Sequence, residues 1–278
     1  MAITTAYRTR SGAVPLRSFK TKGRHSAIAG MGVYAPEKVI SNFDLEKMMD
    51  TSDKWITERT GIRTRHIAEP GTTTLELATK AAQSALDAAG IKASDLDMIL
   101  VGTSSPDGPF PSIACRIQDE LDAPGAVAWD MLAACTSFMY GLATADSFIA
   151  TERADNVLVI GAEVLSRMLD YSNRGTAVIF GDGAGAAVVR PAPAGAGFLS
   201  WCLGSDGRGY LQVTCGNKEF GAYAAKDPAP IIEMEGPDVF KFAVDIFIRQ
   251  ANEVCSAAGI AMVEIGRASC RERVSTIV

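Results

Sequence analysis

The sequence predicts an α/β fold built on a largely parallel β-sheet. Apolar, strand-like runs alternate with helix-like segments from Ala27 to Gly161, and capping residues bound several of the helices. The 278-residue chain is 47% hydrophobic and 21% charged, as is usual for a globular protein. Strands separated by helices pair in parallel through right-handed crossovers. A chain of this length buries a large core, as one domain or as two fused halves.

In the first part of the chain, capping residues indicate where several helices begin and end. After a strand at 27–33, three helices each have a hydroxyl residue near the N-terminus, and two have a glycine at the end. Their ranges are 43–50 after Ser41, 52–60 before Gly61, and 73–89, with Thr73 and Glu76 as a capping box and Gly90 as its stop. The next elements are a strand at 97–103, a helix at 112–121, a strand at 126–130, a helix opening at Cys135 and a strand at 156–161.

A glycine-rich stretch, 181–185, predicts the turn of a β-hairpin. It lacks the G-x-G-x-x-G spacing of a nucleotide loop and stands between two β-like runs, 177–180 and 186–189. The Pro-, Ala- and Gly-rich stretch 191–197 predicts a connector between halves.

The second part of the chain begins with a predicted strand at 198–203 and a loop-rich segment at 204–230. The clearest helix is 237–258, with Pro237 in its first turn and Gly259 after its end. One apolar face of this helix is expected to pack against a sheet. It comprises Phe240, Ala243, Val244, Phe247, Ala251, Val254, Cys255 and Ala258.

Charge and cysteine content exclude several classes of protein. The net charge of −5 disfavours nucleic acid as a partner for the whole surface, and no apolar run reaches the length of a transmembrane helix. Six cysteines without a C-x-x-C pair indicate reduced thiols in a cytoplasmic environment and no metal site. Residues 1–24 are basic and contain no acid. We interpret them as a disordered extension; an organelle-targeting peptide, plastid or other, is the alternative.

A candidate nucleophile lies at Cys135. The segment 128–142 predicts a strand, a small-residue corner at 133–134 and a helix whose apolar face includes Phe138 and Leu142. A cysteine at such a helix start meets free backbone N–H groups and the positive end of the helix dipole, which favour the nucleophilic thiolate. The alternative is that Cys135 is a small buried hydrophobic residue.

The motif Asp-Met-Leu-Ala-Ala-Cys-Thr-Ser-Phe at 130–138 resembles the nucleophile corner of the β-ketoacyl-acyl-carrier-protein synthase III family. The resemblance extends over roughly residues 25–263. It implies a thiolase-like layered αβαβα sandwich of two similar halves: 25–196 complete, with the nucleophile, and 197–263 partial. Residues 264–278 do not resemble the family and look like cloning-adaptor sequence.

Further blocks of the same family assign substrate-binding residues by resemblance. The block 51–62, with Thr51, Trp55 and Arg59, resembles the coenzyme A entrance, where an indole and a guanidinium stack on adenine. Arg174 and Gly175 resemble its second part, with Arg174 near the phosphates. For these blocks the alternatives are a core tryptophan and solvated arginines.

The remaining assignments concern the acyl pocket and the partners. Phe110 resembles a residue that a partner subunit contributes to the acyl pocket, which implies a homodimer, and Phe240 is placed with the substrate-binding residues. Lys241 resembles a residue presented to the acidic carrier protein; a plain solvated lysine is the equal alternative. The implied substrates are an acyl-CoA, with acetyl-CoA expected, and malonyl-acyl carrier protein. No cofactor beyond the coenzyme A thioester is implied.

The implied reaction is a decarboxylative Claisen condensation through an acyl-Cys135 intermediate. The family supplies a histidine and an asparagine as oxyanion donors, whereas His25 and His66 are the only histidines here and both precede Cys135. Loss of one such donor costs about a hundred- to thousandfold in rate, so we expect impaired condensation. A polyketide- or quinolone-type condensing enzyme and a non-catalytic CoA- or carrier-binding fragment are alternatives. A cysteine hydrolase would need a histidine base near Cys135.

Overall fold

A computed structural model describes residue 14 and residues 16–193, 196–216 and 231–265. Two compact units divide the chain: a large unit, Lys22–Phe198 with Asp227–Ile232, and a small unit, Met1–Thr21, Leu199–Lys226 and Glu233–Val278. The strands are β1 Leu16–Lys20, β2 Ser26–Tyr34, β3 Val39–Ser41, β4 Thr64–His66, β5 Met98–Gly102, β6 Val127–Met131, β7 Val157–Val164, β8 Asp182–Pro191, β9 Ser200–Gly204, β10 Val213–Cys215 and β11 Ile232–Met234. The helices are α1 Asn42–Glu46, α2 Asp53–Thr60, α3 Thr74–Ala89, α4 Ile113–Glu120, α5 Ser137–Ala150, α6 Arg174–Ala177 and α7 Gly236–Ala258.

The large unit is organised around a five-stranded mixed sheet of order β2-β8-β7-β5-β6. β5 pairs in parallel with β6 and β7, and β8 runs antiparallel to both β7 and β2. All strands except β8 therefore point the same way, and the predicted α/β class is confirmed. The entirely buried sequence of β5, MILVG, suits a central strand covered on both faces.

Helices cover the two faces of this sheet. Buried side chains of α3 and α4 join alternate residues of β5, β7 and β8, such as Ile99 and Ile160, in one core cluster. α3 approaches β2 so closely that a Cβ added at Gly32 would lie 2.2 Å from the Ala81 carbonyl oxygen. α5 packs on the opposite residues of β5 and β7, because side chains alternate between faces along a strand.

The predicted hairpin at 181–185 is wrong. Residues 174–177 form the short helix α6, capped by the Asn173 side chain, and Gly183 and Gly185 lie inside β8. Ala177 and Val178 are buried against Leu45 and Ile56, so tertiary packing outweighs the β propensity of the run 177–180.

In the small unit, α7 packs on the antiparallel pair β1–β9. β1 corrects part of the expectation for residues 1–24: Leu16–Lys20 form a strand, because Leu16 pairs with Gly204 and Lys20 with Ser200. The other residues of that segment up to 13, and residue 15, lie outside the described residues, as do 217–230 and 266–278.

The predicted apolar face of α7 is only partly confirmed. Cys255 is buried and Ala243 and Val254 are partly buried, whereas Phe240 is 67% and Phe247 74% exposed. The predicted face is wider than the part of the helix that β1 and β9 cover. No helix among the described residues is long and apolar enough to cross a membrane.

Candidate active site

Cys135 is exposed in a short 3₁₀ turn, Ala134–Thr136, between β6 and α5. The corner predicted at 133–134 is present: Ala134 has a φ of +46°, and α5 begins at Ser137, two residues later than predicted. The turn is held by its own hydrogen bonds. The Ala133 N–H donates to Ser137 Oγ (2.8 Å), and the Thr136 hydroxyl donates to the Ala133 carbonyl (2.8 Å). Cys135 therefore follows a parallel strand at its carboxyl end, where α/β proteins bind ligands.

Glycines in the sheet allow the N-terminus of α5 to lie directly on the strands. A Cβ added at Gly102 of β5 would lie 2.6 Å from Ser137 Cβ, and one added at Gly161 of β7 would lie 3.5 Å from Phe138 Cβ. Gly141 of α5 faces β7 in the same way, because a Cβ added there would lie 2.7 Å from Val159 Cγ1. These contacts fix the height of the Cys135 turn above the sheet.

A partly buried carboxyl group, Glu163, lies near the end of β7 on the α5 face of the sheet. It accepts hydrogen bonds from the Ser104 N–H (2.8 Å) and the Ser105 hydroxyl (2.5 Å). Ser105 Oγ accepts in turn from the Val164 N–H (2.8 Å). Glu163 thus anchors the start of the loop that follows β5 and carries Phe110. Burial raises the pKa of Glu163 above its ordinary value of 4.5, although these hydrogen bonds oppose the shift.

The raised pKa of Glu163 predicts a pH-dependent stability difference. A carboxyl group whose pKa rises on folding stabilises the fold at pH values below its unfolded pKa, and this contribution is lost as the pH rises through the folded pKa. We expect the unfolding free energy of the native chain to fall relative to that of Glu163→Gln as the pH rises above 4.5. Urea unfolding of the native chain and of Glu163→Gln at a series of pH values from below to above 4.5 measures this difference in unfolding free energy. Exposed Glu37→Gln is the control, and a difference independent of pH would contradict the prediction.

The predicted coenzyme A entrance brings together Trp55 and both predicted arginines. The guanidinium carbon of Arg59 lies 4.5 Å and that of Arg174 4.8 Å from the centre of the Trp55 ring. Trp55 and Arg59 lie on α2, which ends at Gly61 as predicted and has the Ser52 side chain as its N-terminal cap. Arg174 begins α6 and donates to the Asp50 carbonyl (2.9 Å). An indole with two planar cations suits an aromatic, anionic ligand such as a nucleotide.

Two further predicted residues lie beside this cluster in sequence. The Thr51 hydroxyl is buried and has no hydrogen-bond partner among the described residues. Gly175 donates its N–H to Asn173 Oδ1 (2.9 Å) as part of the cap of α6. Phe110 is 83% exposed, at the end of the loop that Glu163 anchors.

Phe240 and Lys241 belong to α7 in the small unit. Phe240 is largely exposed, and the Lys241 ammonium lies 4.0 Å from the Asp238 carboxylate with 79% of its side chain exposed. The two histidines have other surroundings: His66 Nδ1 donates to the Pro36 carbonyl (2.6 Å), and His25 Nδ1 is buried.

Sequence reasoning missed the position of Arg174 over Trp55 and the role of Glu163. The signal for Glu163 was a single acid in the apolar strand 157–164, where a carboxyl group needs several donors.

Comparisons with known proteins identify the family that this chain resembles. The family model of 3-oxoacyl-[acyl-carrier-protein] synthase III matches residues 129–207, which include Cys135 and Arg174. A β-ketoacyl-[acyl-carrier-protein] synthase III from Caldanaerobacter subterraneus is 48% identical over 239 residues, 84% of this chain and 72% of that protein.

Two solved structures are similar over most of this chain. The 3-oxoacyl-[acyl-carrier-protein] synthase III from Aquifex aeolicus is 42% identical with a TM-score of 0.72, covering 84% of this chain and 72% of its own. The priming β-ketosynthase of the R1128 polyketide pathway is 31% identical with a TM-score of 0.78, and the match covers 86% of this chain and 72% of that protein.

Proposed function

Because the chain belongs to the β-ketoacyl-acyl-carrier-protein synthase III family of condensing acyltransferases with the thiolase-like fold, we propose that Cys135 is its acyl-accepting nucleophile. The observation that carries this proposal is the exposed thiol in a hydrogen-bonded turn at the carboxyl end of a parallel strand. Exposure to acetyl-CoA, followed by intact-protein mass spectrometry, tests it: one acetyl group should appear, and peptide mapping should place it on Cys135.

Cys135 takes part in two successive steps, acylation and then condensation. Its thiolate attacks the thioester carbonyl of acyl-CoA, the bond to the CoA sulfur breaks, and the CoA thiolate that leaves takes up a proton in place of the one that Cys135 lost. Malonyl-acyl carrier protein then loses CO₂, and the resulting carbanion forms a carbon–carbon bond to the acyl carbonyl. The Cys135 sulfur is the leaving group of that second step. The acyl-CoA, with acetyl-CoA expected, and malonyl-acyl carrier protein are therefore the proposed substrates.

The polyketide alternative is not favoured. Relatives that are 46–48% identical carry the name β-ketoacyl-[acyl-carrier-protein] synthase III, whereas the polyketide priming ketosynthase is 31% identical.

The nucleotide part of CoA is proposed to bind at Trp55, Arg59 and Arg174, with Thr51 and Gly175 beside it. Arg174→Ala removes one of the two cations over the indole. We expect it to raise the acetyl-CoA concentration that half-saturates Cys135 acylation about tenfold, since a half-exposed arginine–aromatic contact and a phosphate contact are together worth about one to two kcal/mol. Lys54→Ala, on the exposed side of α2, is the matched control. Equal half-saturation in both variants would contradict the assignment.

A homodimer is proposed through the edge strand β6. β6 is one edge of the sheet, and apolar residues are exposed along it: Val127 in the strand is 60% exposed, and Leu132, directly after the strand, is 82% exposed. Such an edge is a template for pairing with another chain, and a second copy would bring Phe110 to the acyl pocket of its partner. Light scattering should give twice the chain mass for the native protein and a monomer for Val127→Lys. A monomeric native chain would overturn the proposal.

Lys241 is proposed as a docking residue for the acidic carrier protein, and Phe240 as a substrate contact; the high exposure of both side chains supports these roles. A cytoplasmic location is proposed because cysteines 115, 135, 202 and 255 form no disulfide among the described residues.

A further inference from the structure

Arg65 of β4 is a buried cation whose hydrogen bonds go to uncharged groups. The residue is only 5% exposed. Its Nη1 donates to Asn42 Oδ1 (2.6 Å) and its Nη2 to the Val178 carbonyl (2.5 Å). Within the described part of the chain, no carboxylate forms an ion pair with it. A buried charge without a counter-charge is costly, so these two acceptors must be well placed to retain it.

The Asn42 side chain continues this contact into α2. Its Nδ2 donates to Asp53 Oδ1 (2.8 Å), the first residue of α2, and to the Ile62 carbonyl (2.9 Å), two residues beyond the helix. A weaker bond reaches Thr57 Oγ1 (3.3 Å) in the same helix. One amide therefore contacts both ends of the helix that carries Trp55 and Arg59.

The second acceptor of Arg65 belongs to the other element of the nucleotide cluster. Val178 is the residue at the C-terminal end of α6, and Arg174 is the first residue of that helix. The guanidinium group thus joins α2, through Asn42, to α6, through a backbone carbonyl. These are the two elements that place Trp55 and the Arg174 guanidinium 4.8 Å apart.

We propose that Arg65 is a positioning residue for the nucleotide half of acyl-CoA: its planar fork sets the spacing between α2 and α6 and so aligns Arg174 with Trp55. A guanidinium group holds two donor nitrogens at a fixed spacing in one plane, whereas an ammonium group has a single donor nitrogen. The inference rests on the proposed function, because it assumes that Trp55 and Arg174 bind the nucleotide of the acyl donor.

The test compares two acetyl donors on the full chain. Acetyl-CoA carries the nucleotide, and S-acetyl-pantetheine lacks it. The rate of Cys135 acetylation is measured against donor concentration for the native chain, Arg65→Met, Arg65→Lys and the control Arg63→Ala, which changes an exposed arginine two residues away. Asp53→Ala is a second variant that leaves Arg65 intact and removes one contact of Asn42 with α2.

For Arg65→Met we expect the half-saturating concentration of acetyl-CoA to rise up to about tenfold, the loss expected for Arg174→Ala, with less than a twofold change in the rate at saturation. Acetylation by S-acetyl-pantetheine should stay within twofold of the native rate. Arg65→Lys should recover only part of the acetyl-CoA affinity, Asp53→Ala should lose about threefold, and Arg63→Ala should behave as the native chain.

Equal losses with both donors would show that Arg65 is merely structural, and unchanged acetyl-CoA affinity in Arg65→Met would also overturn the inference. If Arg65→Met does not fold, Asp53→Ala decides: a loss confined to acetyl-CoA supports the inference, and no loss overturns it. Failure of the proposed function has a different signature, because the native chain itself would then take no acetyl group from either donor at Cys135.

Discussion

Replacement of Cys135 by serine is expected to abolish the acetyl adduct that acetyl-CoA leaves on the chain. A serine hydroxyl is almost wholly protonated at neutral pH, so it lacks the nucleophilicity of a thiolate unless a general base activates it. We expect acetylation to slow by about a thousandfold or more. The measurement is intact mass of the native chain and the variant after equal exposure to acetyl-CoA.

Cys115→Ser is the matched control. Cys115 is also exposed, lies in the first turn of α4 and donates its S–H to the Ala128 carbonyl (3.5 Å). Its replacement should leave the adduct intact. If the adduct persisted in Cys135→Ser and disappeared in Cys115→Ser, the acyl group would be on Cys115, and the proposed function would be overturned.

Alanine at Gly102 is expected to have the second-largest effect. Its Cβ would lie 2.6 Å from Ser137 Cβ and 3.1 Å from the Phe138 nitrogen, so the start of α5 must move away from β5. Overpacking of this kind costs about 1–3 kcal/mol of stability. Displacement of a reacting group by about 1 Å can cost a hundredfold in rate, so we expect Cys135 acetylation to fall ten- to hundredfold.

Gly125→Ala is the control for the effect of replacing a glycine by alanine where the added Cβ has free space. A Cβ at Gly125, shortly before β6, has no neighbour within 4 Å and the residue has no positive φ. Its acetylation rate should match that of the native chain. Urea unfolding shows whether Gly102→Ala is folded under the assay conditions; a folded variant with native acetylation would show that the height of α5 does not matter.

Several parts of the fold could be predicted because local chemistry decides them. Ser52 and Gly61 bound α2, Thr73 and Gly90 bound α3, and Gly259 ends α7 with a φ of +76°. A hydroxyl that accepts a backbone N–H and a glycine in the left-handed region act within one helical turn, so the sequence alone identifies them.

Other parts depend on distant neighbours. The run 177–180 has β-like residues, yet Asn173 caps a helix there and Val178 is needed against Ile56. β1 forms only because β9, far along the chain, pairs with it. Neither fact is visible in a local window, because strand formation depends on the partner more than on propensity.

The candidate site shows the same division. The position of Cys135 between a strand and a helix followed from local pattern, and the family resemblance identified Trp55 and Arg174. The contact of Arg174 with the indole, and the bonds of Glu163 and Arg65 to other segments, required the tertiary structure.

The near contact of α3 with β2 has a mechanical consequence. The backbone of β2 at Gly32 lies directly against the Ala81 carbonyl of α3, and no side chain lies between the strand and the helix at this point. That side of the sheet has little freedom to yield when acyl groups of different length bind. We expect such adaptation to occur on the α5 face instead, where Phe138 packs against Gly161, so amide hydrogen exchange in α3 should stay the same when the acyl donor varies.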